Sequence, residues 1–129
     1  MTAIAPRKLL GLLSFAMAAM LPAIAVAAPP EQAQHEIDQL IGELGSSGCQ
    51  FQRNGTWYPA DEAQAHLRRK YDYLAKRNMV DSAEQFIERA GTQSSMSGKA
   101  YSVRCPGQAA VPSAQWLGAK LSALRHARP

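Results

Sequence analysis

The stretch Cys49-Gln50-Phe51-Gln52-Arg53-Asn54-Gly55-Thr56-Trp57-Tyr58-Pro59 reads as a β-hairpin, and the rest of the chain organises around it. Asn-Gly tolerates positive φ at both positions, as a type I′ turn requires, and that turn matches the twist of the flanking strands. A two-residue loop sets Arg53 opposite Thr56, Gln52 opposite Trp57 and Phe51 opposite Tyr58. Phe51 and Tyr58 then form a cross-strand aromatic pair on the face that also carries Cys49. Trp57 points the other way.

Working outward, Glu31 to Leu44 places Ile37, Leu40, Ile41 and Leu44 at i, i+3, i+4, i+7, one face of an amphipathic helix that Gly45 and Ser46-Ser47-Gly48 end. Pro59 closes the second strand. Asp61 is placed to cap a helix from about Glu62 to Arg77, with Ala63, Leu67, Tyr71 and Leu74 inward. Asp81-Ser82-Ala83-Glu84 resembles a capping box and opens a short helix that buries Phe86, Ile87 and Ala90 before Gly91. Thr92 to Gly98 is polar. Lys99 to Cys105 alternates, with Tyr101, Val103 and Cys105 on one side of a third strand that Pro106-Gly107 terminates. Ser113 is placed to cap a last helix with Leu117, Leu121 and Leu124 inward and Trp116 beside them. The order α-β-β-α-α-β-α predicts one small α+β domain over 36–126, with about four helices on a short three-stranded antiparallel sheet. Residues 28–35 read as the N-terminal leader, stiffened at Pro29 and Pro30.

The N-terminus has the parts of a cleavable secretory signal peptide over residues 1–27. Arg7 and Lys8 form the positive region, Leu9 to Leu21 is apolar, Pro22 breaks it, and Ala25-Val26-Ala27 is a small-residue cleavage site; cleavage after Ala28 is disfavoured by Pro29. An uncleaved anchor is the competing reading, since the 20 residues from Leu9 to Ala28 lack charge and just span a hydrocarbon core. The small residues and Pro22 in its second half favour cleavage. No stable membrane anchor is then expected, and the protein is expected in the periplasm. About 102 of the 129 residues remain, enough for one domain. The net charge of +4 includes Arg7 and Lys8, so the mature chain carries only +2, and the sequence pI of 9.3 overstates its basicity. That is no basis for nucleic-acid binding.

The two cysteines, Cys49 and Cys105, read as a disulfide in an oxidising compartment. The bridge closes a loop of about 57 residues, for which chain entropy predicts roughly 4 kcal/mol of stabilisation. The alternative, free thiols or a two-Cys metal site, lacks CxxC spacing and neighbouring His ligands. His35, His66 and His126 show no metal-ligand spacing either, and no cofactor is expected.

From about Glu36 to Leu124 the chain resembles the YfeK-like family of small exported bacterial proteins of unassigned function. The residues that carry the resemblance are Ser47-Gly48-Cys49, Phe51 and Arg53-Asn54-Gly55, then His66-Leu67, Lys70-Tyr71, Ala83-Glu84 and Phe86-Ile87. Ser94 to Lys99 leading to Tyr101, Val103-Arg104-Cys105-Pro106-Gly107 and Trp116-Leu117 complete it. The resemblance implies a periplasmic setting in a Gram-negative cell and carries over no catalytic residue.

Several constellations compete for a functional role. In Ser94-Ser95-Met96-Ser97-Gly98-Lys99, three hydroxyls, a glycine that lets amides approach and Lys99 together suit an anion or carboxylate cradle. The plainer alternative is a polar connector whose hydroxyls satisfy its own turn amides. The spacing fits neither a P-loop nor a Ser-x-x-Lys nucleophile, since only Ser95 and Lys99, four apart, are available. A hydrolase would pair His66 with Ser95 or Ser97 and a carboxylate such as Asp72; a core-edge histidine that makes one hydrogen bond is the commoner case. Arg68, Arg69, Lys70, Lys76 and Arg77 form a basic run whose default is a solvated face, interspersed as it is with acids. Arg53 and Arg104 sit on strands, where they either pair with carboxylates or meet a partner. Trp57 is either covered or, near Arg53, an exposed contact residue. The reading these support first is a non-enzymatic module that binds a periplasmic protein or envelope component through Arg53, Trp57, His66, Ser94, Ser95, Ser97, Gly98, Lys99 and Arg104. The alternatives are a small serine/histidine hydrolase or a small-molecule or anion binder.

Overall fold

The computed structural model describes residues 2–5, 11–22 and 29–128. Arg7, Lys8 and the cleavage site Ala25-Val26-Ala27 lie outside the described residues. Residues 11–22 carry no helix or strand, and Leu12, Leu13, Phe15, Met17, Met20 and Leu21 are exposed. Among the described residues, no helix is long and apolar enough to cross a membrane.

The elements run α1 (Glu31–Ser46), β1 (Gln50–Arg53), β2 (Thr56–Pro59), α2 (Ala60–Ala75), α3 (Ala83–Arg89), β3 (Ser102–Arg104), β4 (Val111–Pro112) and α4 (Ser113–His126). The fold is α+β, four helices against an antiparallel sheet of order β2-β1-β3-β4. The hairpin register is that read from the turn: Phe51 pairs with Tyr58, Gln52 with Trp57 and Arg53 with Thr56. Asn54 and Gly55 both have positive φ, 50° and 81°. β1 also pairs with β3, Gln50 opposite Arg104 and Phe51 opposite Val103. Continuing that register by one residue places Cys49 opposite Cys105. They form the disulfide, with Cα atoms 4.1 Å apart, so the bridge extends the β1–β3 ladder at its end.

The sheet has one strand more than the three expected. Val111 pairs with Val103, and Pro112 with Ser102. Two residues show no alternation, and a proline argues against a strand unless it lies at an edge, where its missing N–H costs no ladder bond. β2 and β4 are the two edges and each ends in proline, which blunts the edge against pairing with another chain.

The core lies between the helices and one sheet face. Ile37, Leu40, Ile41 and Leu44 of α1 and Ala63, Leu67, Tyr71 and Leu74 of α2 meet Phe51, Val103, Phe86, Leu117 and Leu121 there. Three caps differ from expectation. The residue capping α2 is Pro59, and Asp61 lies within the first turn, where its charge complements the helix dipole. At α3 the box is shifted by one residue: Ser82 Oγ accepts from Gln85 N at 3.1 Å, and Gln85 Oε1 accepts from Asp81 N at 2.9 Å. Ser113 does not cap α4. Pro112 precedes the helix, and the Ser113 hydroxyl is buried with no hydrogen-bond partner, while its N–H donates to the Tyr101 carbonyl at 2.9 Å.

One buried charge organises the far end of the domain. Glu36 on α1 is 3% exposed and accepts from Arg125 (2.8 Å) and Arg128 (2.7 Å), with Arg125 also paired to Glu84. The Arg125 hydrogen bond is the main reason the Glu36 carboxyl is held below its ordinary pKa.

Candidate functional site

The core-facing stripe of α2 has a polar margin, His66 and Lys70, one turn apart beside Leu67. The hairpin brings Arg53, the last residue of β1, to this margin. Tyr101, just before β3, reaches it from below, its ring 1% exposed and packed on Phe51 with centroids 4.8 Å apart. Arg53 Nη1 lies 2.6 Å from His66 Nδ1, and His66 Nε2 lies 3.1 Å from Tyr101 Oη. Lys70 Nζ donates to Tyr101 Oη at 3.1 Å and to the Gln93 carbonyl at 3.0 Å.

The donor inventory fixes the protons. A guanidinium only donates, so His66 Nδ1 accepts from Arg53 and the imidazole proton sits on Nε2, directed at Tyr101 Oη. Tyr101 Oη thus accepts from both His66 and Lys70, and its own hydroxyl proton is not used by either bond. Burial, first, and then the charges of Arg53, Lys70 and Arg69 push His66 down to about 4. Burial and Arg53 lower Lys70, and burial raises Tyr101. We expect the His66 ring resonances to titrate with a midpoint near 4 rather than 6.5. Because the folded state depresses this pKa, the associated stability is complete above 6.5 and fades as pH falls from 6.5 toward 4. A midpoint of about 6 or higher in an NMR titration would contradict the neutral, Arg53-bonded imidazole.

The mouth of this cluster is an open groove of about 380 Å³, lined by Arg53, Asn54, Tyr58, His66, Lys70 and the loop at Ser94, Ser95 and Met96. A smaller hollow beside it, about 140 Å³, is bordered by Arg53, Arg69 and Glu62. Among the described residues, neither Arg53, Arg69 nor Lys70 forms an ion pair; the ion pairs join Arg68 to Asp38, Arg125 to Glu36 and Glu84, and Arg128 to Glu36.

The serine loop is tied up internally. Ser94 is buried, and its Oγ accepts from Met96 N (3.3 Å) and Ser97 N (3.2 Å); its carbonyl accepts from Gly98 N. Ser97 Oγ accepts from Lys99 N and donates to Asn54 Oδ1 at 2.5 Å, clamping the loop to the hairpin turn. Gly98 takes φ +72° to close the turn. The amides expected to cradle an anion are therefore spent on the loop's own fold. Ser95, Met96 and Lys99 are exposed. No serine hydroxyl bonds His66, whose ring nitrogens face Arg53 and Tyr101, and Asp72 is exposed and outside the network. The triad arrangement does not form.

Trp57 and Arg104 lie elsewhere. Both face the opposite side of the sheet from Arg53, where the Arg104 guanidinium stacks 4.1 Å from the Trp57 ring and bonds Gln50 Oε1. Trp57 is half-buried by that stacking. The basic run on α2 also splits: Arg68 pairs with Asp38, Arg77 lies on the Tyr73 ring, and only Lys70 enters the cluster. Lys70 and Tyr101 are site residues that sequence reasoning missed. The i, i+4 spacing of His66 and Lys70 is a usable signal; nothing local marks Tyr101 as more than an inward strand residue. Among the described residues no group of three His, Cys, Asp or Glu side chains is arranged to hold a metal ion.

The family model described as "Family of unknown function (DUF5329)" matches residues 31–125. The chain belongs to this family. The DUF5329 match runs from the start of α1 almost to the end of α4, so the disulfide, the hairpin and the whole Arg53–His66–Lys70–Tyr101 cluster fall within it. The chain is also similar to the uncharacterized protein YfeK of Salmonella typhimurium, 45% identical over 51 residues, which cover 40% of this chain and 41% of that protein. The match thus spans about two-fifths of the length of that curated relative. No solved structure matches the chain significantly.

Proposed function

We infer that this member of the DUF5329 family is an exported, non-enzymatic periplasmic module that holds an anionic group of a protein or envelope component in the groove between the hairpin, α2 and the serine loop. One observation carries the reading: Arg53 and Lys70 converge on the groove, bonded only to neutral partners and, among the described residues, in no ion pair, the nearest carboxylate lining the site being Glu62 in the neighbouring hollow. Partly desolvated cations gain more from an incoming anion than solvated ones do. Export is supported by the signal-like N-terminus and by a disulfide that an oxidising compartment would maintain. A binding rather than catalytic role is supported by the engagement of His66 Nδ1, which takes away the lone pair that a general base needs.

The test is capture from periplasmic extract with protein expressed as the full chain and collected after export, its N-terminus read by mass as Ala28. The wild type is expected to retain a component that the Arg53→Gln/Lys70→Gln variant loses, with circular dichroism showing both folded. Equal capture by the two proteins, or hydrolytic turnover abolished by His66→Gln, would overturn the reading.

A further inference from the structure

We propose that the anion is a carboxylate on an extended peptide segment, and that a neighbouring apolar side chain of the same segment lies on Tyr73, Leu74 and Met96. The proposal rests on the reading of the groove as a binding site and adds the chemistry of its occupant.

Two observations lead to it. The first is the kind of donor the groove offers. With the amides of Met96, Ser97, Gly98 and Lys99 consumed within the loop, the donors left are mostly side chains: the remaining N–H groups of Arg53, the third proton of Lys70, the Tyr101 hydroxyl and the exposed Ser95, whose amide is the one loop N–H not spent. A two-oxygen monoanion is matched by that set. A phosphate group, with about −1.5 to −2 charge and more acceptor oxygens, is ordinarily held by an arginine cluster or a ring of backbone amides, and one arginine and one lysine at this end of the groove leave more of its oxygens without a donor.

The second is what adjoins the cationic end. A second hollow of about 420 Å³ between α2 and the serine loop shares His66, Lys70, Ser95 and Met96 with the first and adds Tyr73 and Leu74. Met96 is 96% exposed at the loop tip, and Tyr73 is 56% exposed. The loop that carries Met96 is pinned by Ser94 and by the Ser97–Asn54 bond, so an apolar side chain is held out over the groove on a fixed turn. Methionine adapts to varied apolar partners. Arg69 and Arg89 flank this part of the groove, so positive charge continues along it and favours an acidic segment over a basic one.

The experiment is an NMR titration of the exported protein with a blocked pentapeptide carrying one glutamate between two leucines. Its glutamine counterpart, acetate, inorganic phosphate and vesicles of an anionic phospholipid are run in parallel. The glutamate peptide is expected to shift resonances of Arg53, Lys70, Tyr101 and Met96 saturably and to bind at least about tenfold tighter than the glutamine peptide, the effect of losing one charge-assisted contact. Met96→Ser, an exposed substitution, should weaken the peptide severalfold and leave acetate unchanged, while Arg53→Gln weakens both. If peptide and acetate bind alike and Met96→Ser changes nothing, the peptide assignment falls while the anion site stands. Phosphate displacing the peptide at lower concentration than acetate overturns the carboxylate, and Arg53-dependent vesicle binding with a silent peptide assigns the site to a lipid surface instead. If no anion perturbs Arg53, Lys70 or Tyr101, the binding groove itself is refuted.

Discussion

Replacing Cys49 and Cys105 together by alanine is expected to lower the unfolding free energy by about 4 kcal/mol, the loop-closure value for a bridge spanning 56 residues of separation. A domain of roughly 100 residues has only about 5–15 kcal/mol in total, so this variant should approach the unfolding threshold. The location sharpens the expectation. The bridge extends the β1–β3 pairing, and these two strands are the centre of the sheet. Reduction should therefore loosen the strand that carries Arg53 as well as the one that follows Tyr101. Denaturant midpoints of the wild type with and without reductant, and of the double-alanine protein, give the measurement. A loss below about 1 kcal/mol would mean that the helices alone hold the sheet together.

Phe51→Ala is expected to cost about 3–5 kcal/mol, the usual range for removing a buried phenylalanine from a core that collapses only partly. Phe51 is 1% exposed and lies opposite both Tyr58 and Val103 in the two ladders of β1. Its ring is also the platform on which Tyr101 lies, tilted at 53°. The substitution should thus act on the site through Tyr101: with the platform gone, the hydroxyl that receives His66 and Lys70 loses its fixed position. The paired measurement is chemical denaturation together with the His66 titration midpoint, which should move up from about 4 toward 6.5 as water enters. An unchanged midpoint in a destabilised variant would separate the packing role of Phe51 from any role in holding the cluster.

The periodic features are legible in the residues alone. Hairpin register, the buried stripes of α1 and α2, and the cysteine pairing follow from alternation, 3.6-residue spacing and residue chemistry, all local or nearly so. The departures are informative because each has a non-local cause. β4 is two residues long and exists because Val111 finds Val103 across the sheet. Ser113 has the composition of a helix cap, yet packing buries its hydroxyl unpaired and Pro112 takes the cap position. The serine loop has hydroxyls and amides suited to a ligand, and the fold turns them on one another. Glu36 reads as one more charge on a helix; its partner Arg125 stands 89 residues away and ties α4 back to α1.

The candidate site divides the same way. The sequence by itself determined that the chain forms a small α+β domain, that two cysteines would staple it, and that Arg53 stands at the mouth of an Asn-Gly hairpin. It also set His66 and Lys70 one helical turn apart, without marking Lys70 as a site residue. Only the tertiary structure decided that Arg53, His66, Lys70 and Tyr101 share one cluster while Trp57 and Arg104 lie across the sheet from it. The reason is physical. Local periodicity sets which face of its own element a side chain occupies, but which faces meet depends on how the elements pack. The chemistry of a cluster drawn from β1, α2 and the approach to β3 is a property of that packing.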